Sequence, residues 1–206
     1  VPDSAPNGAV VRSDLRALSL LTAPTGEHIA APEFDPFYSH SGGYGYTWFR
    51  DEAETGRQLL DADRLLDLDL QRDIEATAEF FCRTQLDDGS WGHRAWAVDG
   101  SLAPGWAHSR LEGAGNQEYQ ADQTASAVAF LATLLSQRAE TLSEELGDSI
   151  RSTISDGLDV LDETLEDDGL PTRCQNLWEN VDGSFTHTAA SYLLAYATVA
   201  DAPVAE

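Results

Sequence analysis

The spacing of apolar residues constrains this chain most, because it predicts six helices separated by connections of two very different lengths. The predicted helices run from about Ala9 to Leu21, Asp51 to Leu66, Leu70 to Leu86 and Asp122 to Arg138, then along a stripe from Leu146 to Leu165, and from Thr188 to Ala200. Long irregular segments lead into the second, fourth and sixth helices, whereas short links lead into the third and fifth. Helices joined by short links run antiparallel. We therefore expect the long segments to share one end of the molecule and the short links the other.

The apolar faces of these helices differ in width. The fourth helix is apolar or small on nearly every side through ASAVAFLATLL, which predicts burial all round. The fifth carries one apolar stripe and is expected on the outside, while the sixth is apolar round most of its circumference. The second contains Asp61, Asp63 and Arg64, so it is expected to be less buried than the fourth and sixth.

Composition limits the partners of this chain. Its 206 residues suffice for one domain or a piece of one, and residues 1–8 read as a loose leader. No apolar run approaches the roughly 20 residues of a membrane helix. The chain has 36 acidic residues and 12 basic ones, all arginine, for a net charge of -24. This charge argues against nucleic acid and anionic membranes as partners, and a lysine-free acidic surface resembles halophile proteins. An extracellular and a cytoplasmic location both stay open.

The stretch YGYTWFRD, from Tyr44 to Asp51, concentrates aromatic, guanidinium and carboxylate groups. Aromatic faces stack on apolar surfaces of a ligand, while Arg50 and Asp51 offer a donor fork beside an acceptor, which suits a polyol. The alternative is that the aromatics belong to the core and that the charged pair only begins a helix. The residues alone leave both interpretations open.

Glu179 is the candidate acid in the third long segment, PTRCQNLWENVDGSFTHTA. A carboxyl group desolvated against Leu177 and Trp178 has a raised pKa and suits a general acid. A surface glutamate in an acidic protein is the alternative. Cys82 and Cys174 match no zinc or redox spacing, so free buried thiols, a disulfide and reactive thiols all remain possible.

Three segments resemble the glucoamylase family of inverting glycoside hydrolases, which also includes glucodextranases and some trehalases. GYGYTWFRD, preceded by PTGEHIAAPEFDP, resembles the aromatic-x-Trp-x-Arg-Asp motif of the family. RTQLDDGSWGHR resembles its R-x-Q-x-x-D-G-S-W stretch, with QADQT where relatives show Gln-x-Asp. NLWENVDGSFTHTA resembles the segment that carries the general acid.

This resemblance implies an all-α (α/α)6 toroid, of which the chain would supply about six helices, or half. Residues 1–206 would then be a partial catalytic domain, with the rest of the toroid, including the water-activating base, beyond residue 206. The implied activity is inverting release of glucose from the non-reducing ends of α-glucans, with Glu179 protonating the leaving oxygen. The residues implied in substrate contacts are Tyr44, Trp48, Arg50, Asp51, Gln120, Trp178 and Asn180.

One departure from the family pattern limits what the resemblance implies about the substrate. Family members carry acidic residues on both flanks of the LWE core, where this chain has Asn176 and Asn180, so the contact to the next sugar is expected to differ. Trehalose or α-1,6-glucan hydrolysis, a noncatalytic glucan-binding module and a helical scaffold are the alternative functions. No metal or other cofactor is expected, because the acidic clusters DADRLLDLD and LDVLDE lack calcium-loop spacing.

Overall fold

Six α-helices and four short strands make up the described part of the chain. The computed structural model describes residues 1, 7–31, 44–103, 120–175, 177 and 181–204. The helices are α1 (Gly8–Leu21), α2 (Phe49–Leu66), α3 (Gln71–Thr84), α4 (Ala121–Arg138), α5 (Glu144–Glu163) and α6 (Thr186–Ala200). The strands are β1 (Tyr46–Trp48), β2 (Arg94–Trp96), β3 (Cys174–Gln175) and β4 (Asp182–Gly183). All six predicted helices are confirmed, with boundaries that differ by a few residues.

Helices α2 to α6 form two layers. Helix α4 packs against α2 and α6 within one layer, and α3 packs against α5 in the other. The layers touch where α2 meets α3 and where α4 meets α5. From α2 to α6, successive helices of the chain therefore lie in one layer and the other by turns. This is the arrangement of an all-α (α/α)6 toroid fragment, as predicted.

Helix α4 lies at the centre of this packing. Thirteen of its 18 residues are buried, which confirms the prediction from its apolar circumference. Helix α5 approaches it closely at Gly157, where a Cβ atom would lie only 2.7 Å from Val128. Phe130 of α4 packs on the ring of Phe81, which also packs on Phe49, in the core.

The short links lie together at one end of the layers, which we call the link end. The side chain of Asp63, near the end of α2, accepts hydrogen bonds from Arg138 at 2.6 Å and from the backbone of Leu70 at 2.9 Å. Gln71 at the start of α3 reaches Thr141, between α4 and α5, at 3.3 Å. These contacts confirm that both links emerge at the same end.

Helix α6 is less buried than its apolar circumference predicts, and the expectation that α2 is less buried than α6 is wrong, because seven of the 18 residues of α2 are buried. Helix α6 is apolar on most sides, yet only four of its residues are buried, and the Leu193 side chain is 70% exposed. The reason is that α6 packs mainly on α4, and no other described helix covers its opposite face.

Two further observations concern the chain as described. Both cysteines, Cys82 and Cys174, are free thiols. Among the described residues, no helix combines the length and the apolar character that crossing a membrane requires.

Candidate active site

The amino-terminal ends of α2, α4 and α6 meet at the end of the layers opposite the link end, which we call the site end. The backbone N–H of Arg50 in α2 donates to Gln123 of α4 at 2.6 Å. Asp122 of α4 lies 3.4 Å from His187 of α6. The segments leading into the three helices therefore arrive at one end, as the loop alternation predicts. Three helix amino termini together favour negative charge there.

Arg50 is held by two groups, one from α4 and one from the residue that precedes this helix. Its Nη1 donates to Asp122 Oδ2 at 2.9 Å and to Gln120 Oε1 at 3.1 Å. Gln120 is fixed in turn, because it accepts from Gln123 at 3.0 Å and lies 3.3 Å from His93. The orientation of the guanidinium group is thus set by the protein, with 18% of the side chain exposed.

Asp51 is placed differently from its neighbour. Its carboxylate lies 3.6 Å from Arg50 Nη2, and 60% of the side chain is exposed. Both residues line a cavity of about 360 Å³ between α2 and α6, together with His187. A larger cavity of about 460 Å³ lies beside α1, away from these groups. The cavity at the site end offers a fixed cation and an accessible carboxylate side by side, which suits hydroxyl groups.

The predicted aromatic residues divide into an exposed and a buried one. Tyr44 is 52% exposed and its ring lies 6.0 Å from that of Trp48, which is only 7% exposed. Strand β1 carries Trp48 and pairs antiparallel with β2, so that Tyr46 lies opposite Trp96. The buried guanidinium of Arg94 packs over Trp48 at 5.4 Å. Tyr44 is therefore the aromatic side chain presented to solvent, and Trp48 supports it from beneath.

Asp122 is a fully buried carboxylate that contacts Arg50 and His187. Burial acts to raise its pKa, but the contacts with His187 and Arg50 outweigh burial, so the pKa of Asp122 is lowered. The contact with Asp122 raises the pKa of His187. Asp122 is therefore ionised near neutrality, and it contacts the Arg50 guanidinium of α2 and the His187 imidazole of α6.

The candidate acid Glu179 lies outside the described residues, as do Trp178, Asn176 and Asn180. The base of its segment is described: Cys174 in β3 pairs with Gly183 in β4. Cys174 contacts the backbone of Ala121 at the start of α4, and burial raises its pKa. The hairpin that leads to residue 179 therefore starts beside the first turn of α4, at the site end.

Sequence reasoning brought Tyr44, Arg50, Asp51 and Gln120 to the site end, but it assigned no role to Asp122, Gln123 or His187. One signal could have found the first two residues. Gln120–Thr124 forms a polar run at the start of a helix that is otherwise apolar all round, and these residues are buried. Buried polar groups need partners, so this run predicts a polar network. His187 gives no comparable signal.

A search for metal ligands and comparisons with known proteins both bear on the chemistry of this site. The described residues contain no cluster of three or more His, Cys, Asp or Glu side chains that could hold a metal ion. The family described as glycosyl hydrolases family 15 matches residues 6–201, a span that includes every residue of the site end. No significant match is found among curated proteins or among solved structures.

Proposed function

The chain belongs to glycosyl hydrolases family 15, and from this premise we propose that it releases glucose from the non-reducing ends of α-glucans and maltooligosaccharides with inversion. The family makes the protein a glycosidase with a carbohydrate substrate. The linkage, the chain length and the stereochemical course belong to the proposal.

The observation that carries the proposal is the Arg50–Asp51 pair at the site end. Arg50 is fixed by Asp122 at 2.9 Å and Gln120 at 3.1 Å, while the Asp51 carboxylate is largely exposed beside it. A fixed guanidinium donates to sugar oxygens without losing freedom on binding, and a carboxylate accepts from sugar hydroxyls. In our proposal this pair holds the terminal glucose, and Tyr44 covers one side with Trp48 behind it.

Glu179 is the proposed general acid, with Trp178 and Asn180 beside it at the sugar. Support comes from the β3–β4 hairpin on either side of this segment, whose base packs beside the start of α4 at the site end. Inversion also needs a carboxylate about 6.5 to 9.5 Å from the acid to activate water. We propose that this base, and the rest of the toroid, belong to residues outside this chain and that they cover the exposed face of α6.

The decisive experiment compares full-length wild-type protein with Glu179→Gln on maltotriose, isomaltose and trehalose. Glu140→Gln is the matched control, because it makes the same chemical change in the exposed link between α4 and α5. Assays in dilute and in molar salt also test the proposed halophile adaptation. We expect Glu179→Gln to lower kcat on maltotriose about a thousandfold or more, as loss of a general acid does, while the control keeps full activity. Equal activity of the two variants would remove Glu179 as the acid. A preference for trehalose or isomaltose would redirect the substrate assignment within the family.

A further inference from the structure

His187 occupies an unusual position in the cavity at the site end. It is the second residue of α6 and lines the same cavity of about 360 Å³ as Arg50 and Asp51. Nearly half of its side chain, 47%, is exposed. Sequence reasoning gave it no role, yet α6 contributes it, together with Ser191 and Leu194, to the wall beside the proposed sugar clamp.

One ring nitrogen of His187 is held by the protein. Nε2 lies 3.4 Å from Asp122 Oδ2, the same oxygen that accepts from Arg50 at 2.9 Å. Asp122 is fully buried, and its other oxygen has no hydrogen-bond partner among the described residues. A single carboxylate oxygen on α4 therefore orients two side chains that line the cavity, one from α2 and one from α6.

The second ring nitrogen, Nδ1, is left for a ligand. Within the part of the chain that the structure describes, it has no hydrogen-bond partner, and the ring is open to the cavity. An imidazole whose Nε2–H points at a carboxylate accepts a hydrogen bond at Nδ1, and after protonation it donates one there. Both forms can bind a hydroxyl group, which is the chemistry that a sugar offers.

We propose that His187 is a third sugar-binding side chain of this cavity, and that Asp122 is the positioning residue that holds both His187 and Arg50 towards the ligand. This inference rests on the proposed function, because the ligand is the sugar held by Arg50 and Asp51. The alternative is that His187 only helps Arg50 to neutralise the buried carboxylate. That role would affect stability and leave sugar binding unchanged.

The test uses the full-length protein with maltotriose as the probe. We expect His187→Ala to raise KM roughly five- to tenfold with little change in kcat, because one hydrogen bond to a ligand is worth about 1 kcal/mol or slightly more. His187→Gln keeps a hydrogen-bonding group and should recover part of that loss. Asp122→Asn should raise KM as well, and its combination with His187→Ala should cost less than the sum of the two, since they act through one contact. Asp63→Asn at the link end is the matched control and should leave KM unchanged.

The outcomes separate this inference from the proposed function. If Arg50→Ala removes activity while His187→Ala keeps KM within twofold of wild type, His187 does not bind the sugar and the proposed function stands. If the wild-type protein neither binds nor hydrolyses maltotriose, isomaltose or trehalose, the proposed function fails and this inference fails with it. Should Asp122→Asn not fold, the two His187 variants still decide the matter.

Discussion

The site end and the link end each contain a buried aspartate paired with an arginine of another helix. At the link end, Asp63 of α2 pairs with Arg138 of α4, and its second oxygen accepts from the backbone of Leu70. At the site end, Asp122 of α4 pairs with Arg50 of α2. The two pairs join the same two helices at opposite ends, so they provide an internal comparison of how one kind of contact is used.

The two pairs differ in whether both carboxylate oxygens of the aspartate have hydrogen-bond partners. Both oxygens of Asp63 are occupied by groups of the fold, and Arg138 is not among the residues that line the cavity at the site end. Asp122 directs both of its described partners through one oxygen, and those partners line a cavity. An aspartate whose two oxygens both accept hydrogen bonds from the fold stabilises the packing of the helices. An aspartate that contacts cavity-lining side chains can orient those side chains for a ligand. We infer that the link end serves stability and the site end serves binding.

The sharpest way to break this comparison is Arg50→Ala, for which we expect the largest effect. Charge-assisted hydrogen bonds are worth about 1.5 to 3 kcal/mol each, so kcat/KM on maltotriose should fall by roughly two to three orders of magnitude. Stability should also fall by about 3 kcal/mol, because the buried Asp122 loses its closest cation. Arg50→Lys is the control: a point charge cannot reproduce the planar fork, so full activity in that variant would contradict the proposed clamp.

Arg138→Ala makes the matching change at the link end. We expect the free energy of unfolding to fall by about 1 to 3 kcal/mol, because Asp63 keeps the bond from Leu70 but loses its charged partner. Urea denaturation measures this loss, and KM for maltotriose should stay within twofold of wild type. An increase in KM like that of Arg50→Ala would show that the two ends are not functionally distinct.

The helices and their alternation could be predicted from sequence because both depend on local patterns. The apolar circumference of α4 predicted its burial on all sides, and the lengths of the connections predicted which ends of the helices meet. The exposed face of α6 could not be predicted in this way. Periodicity reports that a face is apolar, but not whether a neighbour covers it.

The site was predictable in part for a related reason. Arg50 and Asp51 stand in a conspicuous run of aromatic residues, so the sequence marks them. Asp122 and His187 gain their importance only from being brought together, across 65 positions of the chain, by the packing of α4 on α6. Contacts between distant residues are set by tertiary structure, and no local pattern encodes them.

The variant Gln123→Ala tests how much a single hydrogen bond between α4 and α2 contributes to stability at the site end. Helix α2 has no side-chain cap of its own, and Gln123 of α4 instead accepts from the backbone of Arg50 at 2.6 Å. Loss of such a cap should lower the free energy of unfolding by about 1 to 2 kcal/mol. Gln137→Ala, at an exposed position of the same helix, should change it by no more than about 0.5 kcal/mol. Equal effects of the two variants would show that the inter-helix cap contributes nothing.

The smallest expected effect is a pH dependence that His187 gives to the site end. Its pKa is raised above the ordinary value of 6.5, chiefly by Asp122, so its contact contributes fully below pH 6.5 and is lost as pH rises through the raised pKa. Asp122 has a pKa lowered from 3.8, so its contribution is present above that value and is lost as pH falls through the lowered pKa. Among the described residues, His187 contacts Asp122, and the charged side chains that line the same cavity are Arg50, Asp51, Glu54 and Arg57. The stability advantage of wild type over His187→Gln should therefore be largest between pH 3.8 and 6.5.

The midpoints of urea denaturation at pH 5.5 and pH 9 measure this stability advantage. These two pH values lie about one unit or more below and above the ordinary pKa of histidine. We expect the advantage to stay below about 1 kcal/mol, because the half-exposed side chain is screened by solvent, and to shrink further in molar salt. The same pair of measurements on Arg138→Ala provides the link-end reference, where no histidine contacts the described pair of Asp63 and Arg138. An advantage of wild type over His187→Gln that grows with pH would mean that the neutral imidazole is the favoured partner of Asp122. His187 would then act on Asp122 only as a neutral hydrogen-bond donor. The positive charge of a protonated His187 would no longer distinguish the site end from the link end.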